Sequence, residues 1–129
     1  MIDPLLVITF ALPGPAVPKG RPRLGRGGRV YTPRRTHAYE RAVHMAALAD
    51  RPSGWPMDAR MSCEILIGGS RRADVDNVAK SILDGLNGAA WADDSQVDRL
   101  VVERVPGPDG TSVVVRPIGP ARKGRRRGR

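Results

Sequence analysis

Several hydrophobic runs along the chain predict β-strands. Residues 5–12 form an apolar run interrupted only by Thr9, typical of a buried strand, whereas residues 60–67 alternate between apolar and polar positions. Residues 97–105 and residues 111–118 are two further runs, separated by a Pro- and Gly-rich stretch at residues 106–110. Such a stretch between two apolar runs is typical of a hairpin, so we expect these last two strands to pair with each other.

Two segments are predicted to be helices, and the second of them is amphipathic. The first begins at Pro33 or Thr36 and extends to about Ala49, and the second extends from Asp76 to about Asn87. In the second segment the apolar positions fall on one side of a helix of about 3.6 residues per turn, and the acidic positions fall largely on the other.

Irregular segments separate these elements. Residues 13–29 are rich in Pro, Gly and Arg, residues 30–32 are a short extended piece, and residues 51–58 form another loop. We find no internal repeat and no domain boundary. The pattern predicts an α+β fold (mixed α/β): a single compact domain, residues 1–119, in which helices flank a small mixed β-sheet, followed by a disordered Arg-rich tail, residues 120–129.

The charge of the chain is strongly positive. The net charge is +9, from 22 Lys and Arg against 13 Asp and Glu, and the tail contributes six of these cations and no acid. Without those six the net charge falls from +9 to +3. Basic tails of this kind often bind nucleic acid without sequence preference, although a solubilising terminus is the simpler alternative.

Other features of the composition exclude several classes of protein. No run approaches the about 18 apolar residues that a membrane span needs, and residues 1–13 lack the basic start of a signal peptide. The single cysteine, Cys63, excludes an internal disulfide framework and a Cys-rich zinc site, and it is expected to be a buried, reduced thiol. These features predict a cytoplasmic protein without a membrane partner.

The most informative stretch for chemistry is the acidic one at residues 73–97. Asp74 and Asp76 are two positions apart, so in an extended segment their carboxylates lie on the same side. Lys80 and Asp84 continue the polar side of the following helix, and an acidic turn (residues 91–96) supplies Asp93 and Asp94. Carboxylates placed close together repel one another unless a cation lies between them, and an all-oxygen ligand set favours Mg²⁺ or Mn²⁺.

Each of these residues also has a simpler explanation. Asp76 could be a helix N-cap, Asp74 an ordinary loop acid, and Asp93 and Asp94 caps of a turn. Lys80 could pair with an acid one turn away on the same helix. The simpler explanations are weaker for the set than for its members, because they do not account for so many acids on one side of the chain.

The same residues resemble the motif of the RusA-type Holliday junction resolvases. The family pattern D-x-D-N-x-x-K, followed by D and then DD-x-Q-V, is matched in register by residues 74–97. The upstream sequences at residues 18–23 and 31–33 are similar to the family's N-terminal motif, so the resemblance covers residues 13–105.

The resemblance implies a homodimeric, Mg²⁺-dependent endonuclease acting on four-way DNA junctions, with Mn²⁺ as a possible substitute and no organic cofactor. It implies that Asp74, Asp76 and Asp94 hold the metal and that Lys80 assists catalysis. Asp93, Asp84 and Asn77 are possible additional site residues. The basic residues expected to contact DNA are Lys19, Arg21, Arg23, Arg26, Arg29, Arg72, Arg125, Arg126 and Arg127.

Two other functions stay open at this point. A non-catalytic basic protein that binds nucleic acid would explain the charge and the tail, and a protein-interaction module would explain an acidic surface. Neither explains five acids within 21 residues around a lone lysine. His37 and His44 lie seven residues apart on the first helix, about 10.5 Å of rise, which is too far for joint ligation of one metal.

Overall fold

The computed structural model describes residues 3–20, 23–28, 30–31, 33–69 and 74–122. In this part of the chain, a four-stranded mixed sheet and two α-helices form a single α+β domain, beside a separate two-stranded sheet. In chain order the elements are β1 (Ile8–Pro13), β2 (Arg23–Leu24), β3 (Val30–Tyr31), α1 (Arg34–Asp50), β4 (Arg60–Gly68), α2 (Val75–Leu86), β5 (Val97–Val105) and β6 (Gly110–Gly119).

The central feature of the larger sheet is β4. The strand order is β1-β6-β4-β5, and β4 pairs antiparallel with β6 and parallel with β5. Cys63 and Ile65 point into the core with Val43 of α1 and Ile82 of α2, whereas Leu66 on the opposite face is 41% exposed. The alternation in the sequence therefore predicted this strand correctly, and the two helices cover the face that it buries.

The predicted hairpin between β5 and β6 is wrong. Both strands exist, but β4 lies between them, so each pairs with β4 instead of with the other. Turn signals in the sequence do not distinguish a hairpin from a loop that crosses a neighbouring strand. Residues 106–109 can span about 13 Å when extended, which exceeds two interstrand spacings of about 4.8 Å.

A glycine at the end of β4 allows this crossing. A Cβ atom on Gly68 would lie 2.5 Å from the carbonyl oxygen of Pro108. The crossing loop therefore passes directly over the end of β4, where a larger residue would push it away. β5 is left at the edge of the sheet, and most of its residues are exposed or only half-buried.

The helices begin and end close to the predicted positions. α1 starts after Pro33, which occupies the N-cap position, and α2 has the apolar face that the sequence predicts, with Val78, Ile82 and Leu86 fully buried. The two helices approach closely at Gly85, where a Cβ atom would lie 2.7 Å from the carbonyl oxygen of Glu40. This close approach brings the polar sides of α1 and α2 next to each other.

Two segments near the N-terminus differ from the prediction. The first strand begins at Ile8 and not at Leu5, because Asp3 accepts hydrogen bonds from the backbone of Leu5 (2.8 Å) and Leu6 (3.0 Å) and turns the chain. The segment predicted as irregular at residues 13–29 contains β2 and a short 3-10 helix (Arg26–Gly28), and β2 pairs antiparallel with β3.

The core is built mainly from aliphatic residues, in keeping with the 4% of Phe, Trp and Tyr in the chain. Trp91 is the largest fully buried side chain among the described residues, and Cys63 is buried as expected. Burial raises the pKa of the Cys63 thiol to about 12, with a smaller contribution from the charge of Glu64. Within the described ranges, no helix has the length and apolar character needed to cross a bilayer.

Candidate active site

The first two acids of the motif lie at the N-terminal end of α2. Asp74 occupies the N-cap position, but its side chain makes no capping hydrogen bond, and Asp76 lies in the first turn. Both residues are exposed, and Asp76 Oδ1 accepts a hydrogen bond from the backbone N–H of Asn77 (3.0 Å). Asp76 is therefore not the N-cap, and the simpler explanation for it is wrong. Negative charge at this position is favoured by the helix dipole.

Lys80 follows one turn after Asp76 on the exposed side of α2. The ion pairs found among the described residues do not include Lys80, so its pairing with Asp76 or Asp84 on the same helix is not observed. The ammonium group is therefore available to a ligand at the N-terminal half of α2.

The acidic turn places its two acids in different environments. Asp93 caps a short 3-10 helix (Asp94–Gln96), because its carboxylate accepts a hydrogen bond from the backbone N–H of Ser95 (3.0 Å). Asp94 is the first residue of that helix and is half-buried. The cap confirms the simpler explanation for Asp93, and it leaves Asp94 as the better candidate ligand of the pair.

Gln96 holds this turn in place with both ends of its side-chain amide. Its Nε2 donates to the carbonyl oxygens of Met57 and Ala59, each at 2.8 Å, and its Oε1 accepts from the backbone N–H groups of Ala92 and Asp93 at 2.9 and 3.0 Å. The 3-10 helix also packs against α2. The Gln of the motif is thus a structural residue that positions the two acids before it.

Buried tryptophans fix the chain between α2 and the turn. Trp91 donates its indole N–H to Asn87 Oδ1 (2.8 Å), and Trp55 donates to the carbonyl oxygen of Ala90 (2.8 Å). Asn87, which the sequence placed in the helix, instead follows its last residue, Leu86. The two indole groups therefore anchor the segment that leads from α2 into the acidic turn.

Asp84 and Lys19 pair with each other, although the sequence assigned them to different roles. Lys19 Nζ lies 2.9 Å from Asp84 Oδ2 and 2.6 Å from Glu40 Oε2. Burial by itself lowers the pKa of Lys19, but the hydrogen bonds and charges of the two carboxylates outweigh it, so the pKa lies above its ordinary value. The ammonium of Lys19 is therefore engaged by two acids, and Asp84 shares this one cation with Glu40.

The three carboxylates assigned to the metal do not form a complete metal-binding site in the described part of the chain. Among the described residues, which include Asp74, Asp76 and Asp94, no three His, Cys, Asp or Glu side chains are arranged to hold a metal ion. The donor set nevertheless has the right chemistry, since carboxylate oxygens are the ligands that Mg²⁺ and Mn²⁺ prefer. The assignment of these residues to a metal stays a prediction.

Most of the basic residues assigned to DNA fall outside the described residues. This holds for Arg21, Arg29, Arg72, Arg125, Arg126 and Arg127. The backbone of Arg23 lies in β2 and that of Arg26 in the 3-10 helix (Arg26–Gly28). Their assignment to DNA stays a prediction.

The first arginine of the predicted tail is held by the domain. Arg122 forms an ion pair with Asp98, which also pairs with Arg60 at 3.1 Å. Desolvation acts to raise the pKa of Asp98, but the hydrogen bonds from Arg60 and Arg122 and their charges outweigh it and lower the pKa below its ordinary value. Residues 123–129 lie outside the described part of the chain.

The structural roles of Glu40 and Gln96 were not predicted from the sequence. Gln96 had a signal in the sequence, because it belongs to the DD-x-Q-V pattern, but a pattern does not say what a side chain contacts. Glu40 had none, because it meets Lys19 across 21 positions of sequence. His44 Nδ1 donates a hydrogen bond to the carbonyl oxygen of Gly85 (2.9 Å), so it too has a structural contact, whereas His37 is exposed.

Two of the comparisons with known proteins, with curated proteins and with solved structures, do not identify a family. The comparison with curated proteins found no match. Two solved structures of the hydrogenase maturation protein HypE, one of them in complex with ATP, match with 15% and 14% identity and TM-scores of 0.31 and 0.29. Each match covers 95% of this chain, which spans about a third (33% and 32%) of those chains, and this weak likeness carries no argument.

The informative comparison is the one with protein families. The profile of the family described as Endodeoxyribonuclease RusA matches residues 13–116, which is most of the 129-residue chain. The match includes the basic N-terminal segment, both helices and the whole acidic stretch, in agreement with the resemblance of residues 13–105. The chain therefore belongs to the RusA endodeoxyribonuclease family.

Proposed function

We propose that the protein is a divalent-metal-dependent endonuclease that resolves four-way DNA junctions by paired hydrolysis of phosphodiester bonds, in DNA recombination and repair. The observation that carries the proposal is the family match over residues 13–116. The positive charge of the chain supports it, because binding a polyanion needs a basic surface. A cytoplasmic location, where the chain would meet DNA, is part of the proposal.

Asp74, Asp76 and Asp94 are the residues that would hold Mg²⁺ or Mn²⁺. Such an ion would activate water and stabilise charge on the scissile phosphate. The Asp93 carboxylate already caps the 3-10 helix, and this supports the choice of Asp94. Asp84 is a weaker candidate ligand, because its carboxylate already pairs with Lys19.

Lys80 would act as a fixed positive charge beside the scissile phosphate. Its exposed position on α2, one turn from Asp76 and without an ion pair among the described residues, supports this role. A charge of this kind acts mainly on the rate. Lys80→Ala is therefore expected to lower kcat by roughly 10²-fold, and an unchanged rate would leave Lys80 with no part in catalysis.

The proposal is tested by incubating the protein with a synthetic four-way junction and with linear duplex of the same sequence, each with and without Mg²⁺. Junction cleavage only with Mg²⁺ is expected from the wild type, and Asp76→Asn should abolish cleavage while junction binding survives. The matched control is Asp58→Asn, which removes the same charge from an exposed loop. Full cleavage by Asp76→Asn would remove Asp76 from the site.

A non-catalytic nucleic-acid-binding protein would bind the junction in the same gel-shift assay without cutting it. A measurement of metal binding distinguishes the proposed nuclease from a non-catalytic nucleic-acid-binding protein without a cleavage assay. A ligand that binds only the folded state raises the unfolding temperature, so Mg²⁺ should raise it for the wild type and less for Asp74→Asn. Equal shifts in both proteins would mean that Asp74 holds no metal.

The proposal includes a homodimer. Resolving a four-way junction needs two nicks on symmetry-related strands, and each chain carries one acidic motif, so the simplest arrangement is a two-fold dimer. Light scattering is expected to show twice the 13.9 kDa mass of one chain. A mixed dimer of wild-type and Asp76→Asn subunits should nick one strand and release few resolved duplexes. Efficient paired cutting by that mixed dimer would contradict the model.

A further inference from the structure

Lys19 lies where the N-terminal segment crosses α1 and α2. Its ammonium group contacts Glu40 of α1 and Asp84 of α2, at 2.6 and 2.9 Å. The three side chains are between 17% and 25% exposed, so they are held in place far better than ordinary surface charges. One cation is therefore shared by two acids from two different helices.

The backbone around Lys19 is fixed to the same two helices. The N–H of Lys19 donates to the carbonyl oxygen of Asn77 (2.8 Å), and the hydroxyl of Ser81 donates to the carbonyl oxygen of Val17 (2.7 Å). On the other side, the N–H of Gly20 donates to Thr36 Oγ1 (3.1 Å). Residues 17–20 are thus hydrogen-bonded to the helix that carries Asp76 and Lys80, and to its neighbour.

This arrangement differs from that of a lysine which contacts DNA. A cation that binds phosphate needs a free face and a positive surrounding, whereas Lys19 has two carboxylates within hydrogen-bonding distance. These acids would repel a phosphate approaching the same ammonium group. The charge of Lys19 therefore stabilises contacts within the protein, with Glu40 and Asp84.

We propose that Lys19 is a positioning residue, which fixes residues 17–20 across α1 and α2. It thereby sets the point, relative to the acidic end of α2, from which the following basic segment (Arg21, Arg23, Arg26 and Arg29) begins. The proposal rests on the proposed function, in which that segment contacts DNA. Without the ion pairs, residues 17–20 would have to be ordered each time DNA binds, and this ordering costs free energy of binding.

Removing an acid distinguishes positioning from direct contact with phosphate. If Lys19 bound DNA, Glu40→Gln would delete a competing negative charge and strengthen binding. If Lys19 positions the segment, Glu40→Gln weakens binding, although it makes the protein more positive. The matched control is Glu103→Gln, which removes the same charge from the exposed edge strand β5.

The experiment measures the Kd for a four-way junction over a range of salt concentrations, in Mg²⁺-free buffer. Lys19→Gln and Glu40→Gln are each expected to raise the Kd roughly three- to tenfold, the cost of one or two side chains left unordered. The slope of log Kd against log salt should stay unchanged, because the protein still binds the same phosphates. The double variant should bind no more weakly than Lys19→Gln alone, and Lys19→Arg, which keeps the charge, should restore most of the affinity.

Two results would overturn the proposal: tighter binding by Glu40→Gln, or a salt slope that becomes about 0.9 less steep in Lys19→Gln, as expected when one phosphate fewer is neutralised.

A DNA-free measurement separates this proposal from the proposed function. Backbone amides of Lys19 and Gly20 should exchange hydrogen faster in Glu40→Gln than in Glu103→Gln, with thermal unfolding confirming that both variants are folded. If the wild type binds no junction, the proposed function fails, and equal exchange in the two variants removes the positioning role.

Discussion

At the scale of single residues, Gln96 shows how a motif residue can act through structure. Four backbone groups depend on its side chain, two carbonyl oxygens before β4 and two N–H groups in the acidic turn. A shorter or charged side chain would satisfy only part of this set. Gln96 therefore decides where Asp94 lies, although it carries no chemistry itself.

We predict that Gln96→Leu lowers the free energy of unfolding by roughly 1–3 kcal/mol, because backbone groups lose their partners at a half-buried position. Denaturation with urea measures the change. Ser95→Ala is the matched control, since the neighbouring Ser95 is exposed and should cost less than about 0.5 kcal/mol. Equal stability of the two variants would mean that water replaces the amide of Gln96 without loss.

Cys63 makes the stability of the protein depend on alkaline pH. Its pKa is raised from 9.0 to about 12 by burial, so between these values the unfolded chain loses the thiol proton and the folded protein keeps it. The stabilising contribution is therefore complete below pH 9 and is lost as the pH rises through that window, by up to about 1.4 kcal/mol per pH unit.

We predict that urea denaturation of the wild type shows stability falling between pH 9 and pH 12, and falling less steeply in Cys63→Val. Both proteins keep Tyr39, whose pKa is also raised by burial and which acts in the same direction. The comparison therefore isolates the thiol. Identical pH profiles would mean that Cys63 is less protected from solvent than its complete burial implies.

At the scale of elements, α2 combines packing and chemistry on its two sides. Val78, Ile82 and Leu86 are fully buried against the sheet and α1, whereas Asp76 and Lys80 are exposed. The close crossing at Gly85 brings α1 near enough for one lysine to contact acids of both helices. The close packing at Gly85 thereby determines that acids of α1 and α2 lie near the same lysine.

We predict that Gly85→Ala destabilises the protein, although alanine favours a helix by up to about 1 kcal/mol. The new methyl group would lie 2.7 Å from the carbonyl oxygen of Glu40 and 2.9 Å from Val43 Cβ, so the helices must separate. Overpacking of this kind costs about 1–3 kcal/mol, which outweighs the gain. Thermal unfolding measures the difference, and a raised unfolding temperature would contradict the tight crossing.

At the scale of the whole molecule, the six cations of the tail fall into two groups: Arg122, which pairs with the domain, and the five cations that follow it. Arg122 is paired with Asp98 beside the acidic turn, so it belongs electrostatically to the domain. The five cations after it are Lys123, Arg125, Arg126, Arg127 and Arg129. A deletion that tests the tail should therefore begin at residue 123, so that the ion pair between Arg122 and Asp98 is kept.

We predict that deleting residues 123–129 weakens DNA binding and makes its salt dependence less steep, by about 0.9 in slope for each phosphate that the shortened protein no longer neutralises. Metal-dependent cutting at saturating protein should persist, because Arg122 and the acidic motif are retained. Replacing the five cations with Gln is the control for chain length. A deletion variant that binds normally but cannot cut would place the tail within the catalytic machinery.

Much of the fold could be predicted because its signals are local. The alternation that marks β4 and the amphipathic spacing of α2 depend only on neighbouring residues, and both elements were located to within one residue at each end. The family motif was equally local, since the residues of its acidic part fall within 24 positions (residues 74–97). Asp74, Asp76, Lys80 and Asp94 could therefore be named as candidates before any contact was known.

The order of the strands and the partners of the charged residues were decided only in the folded chain. The sequence around residues 106–110 is compatible with either a hairpin or a crossing, and the choice depends on β4, whose buried residues need a neighbouring strand on each side. In the sequence Lys19 belongs to a basic segment, yet it pairs with Glu40 and Asp84, which are 21 and 65 positions away. By itself, the sequence determined both helices, the later strands, the excess of charge and the motif, because each depends on composition or on short spacing. Only the tertiary structure decided which strands pair and which charges neutralise one another, because both depend on distances between residues far apart in the chain.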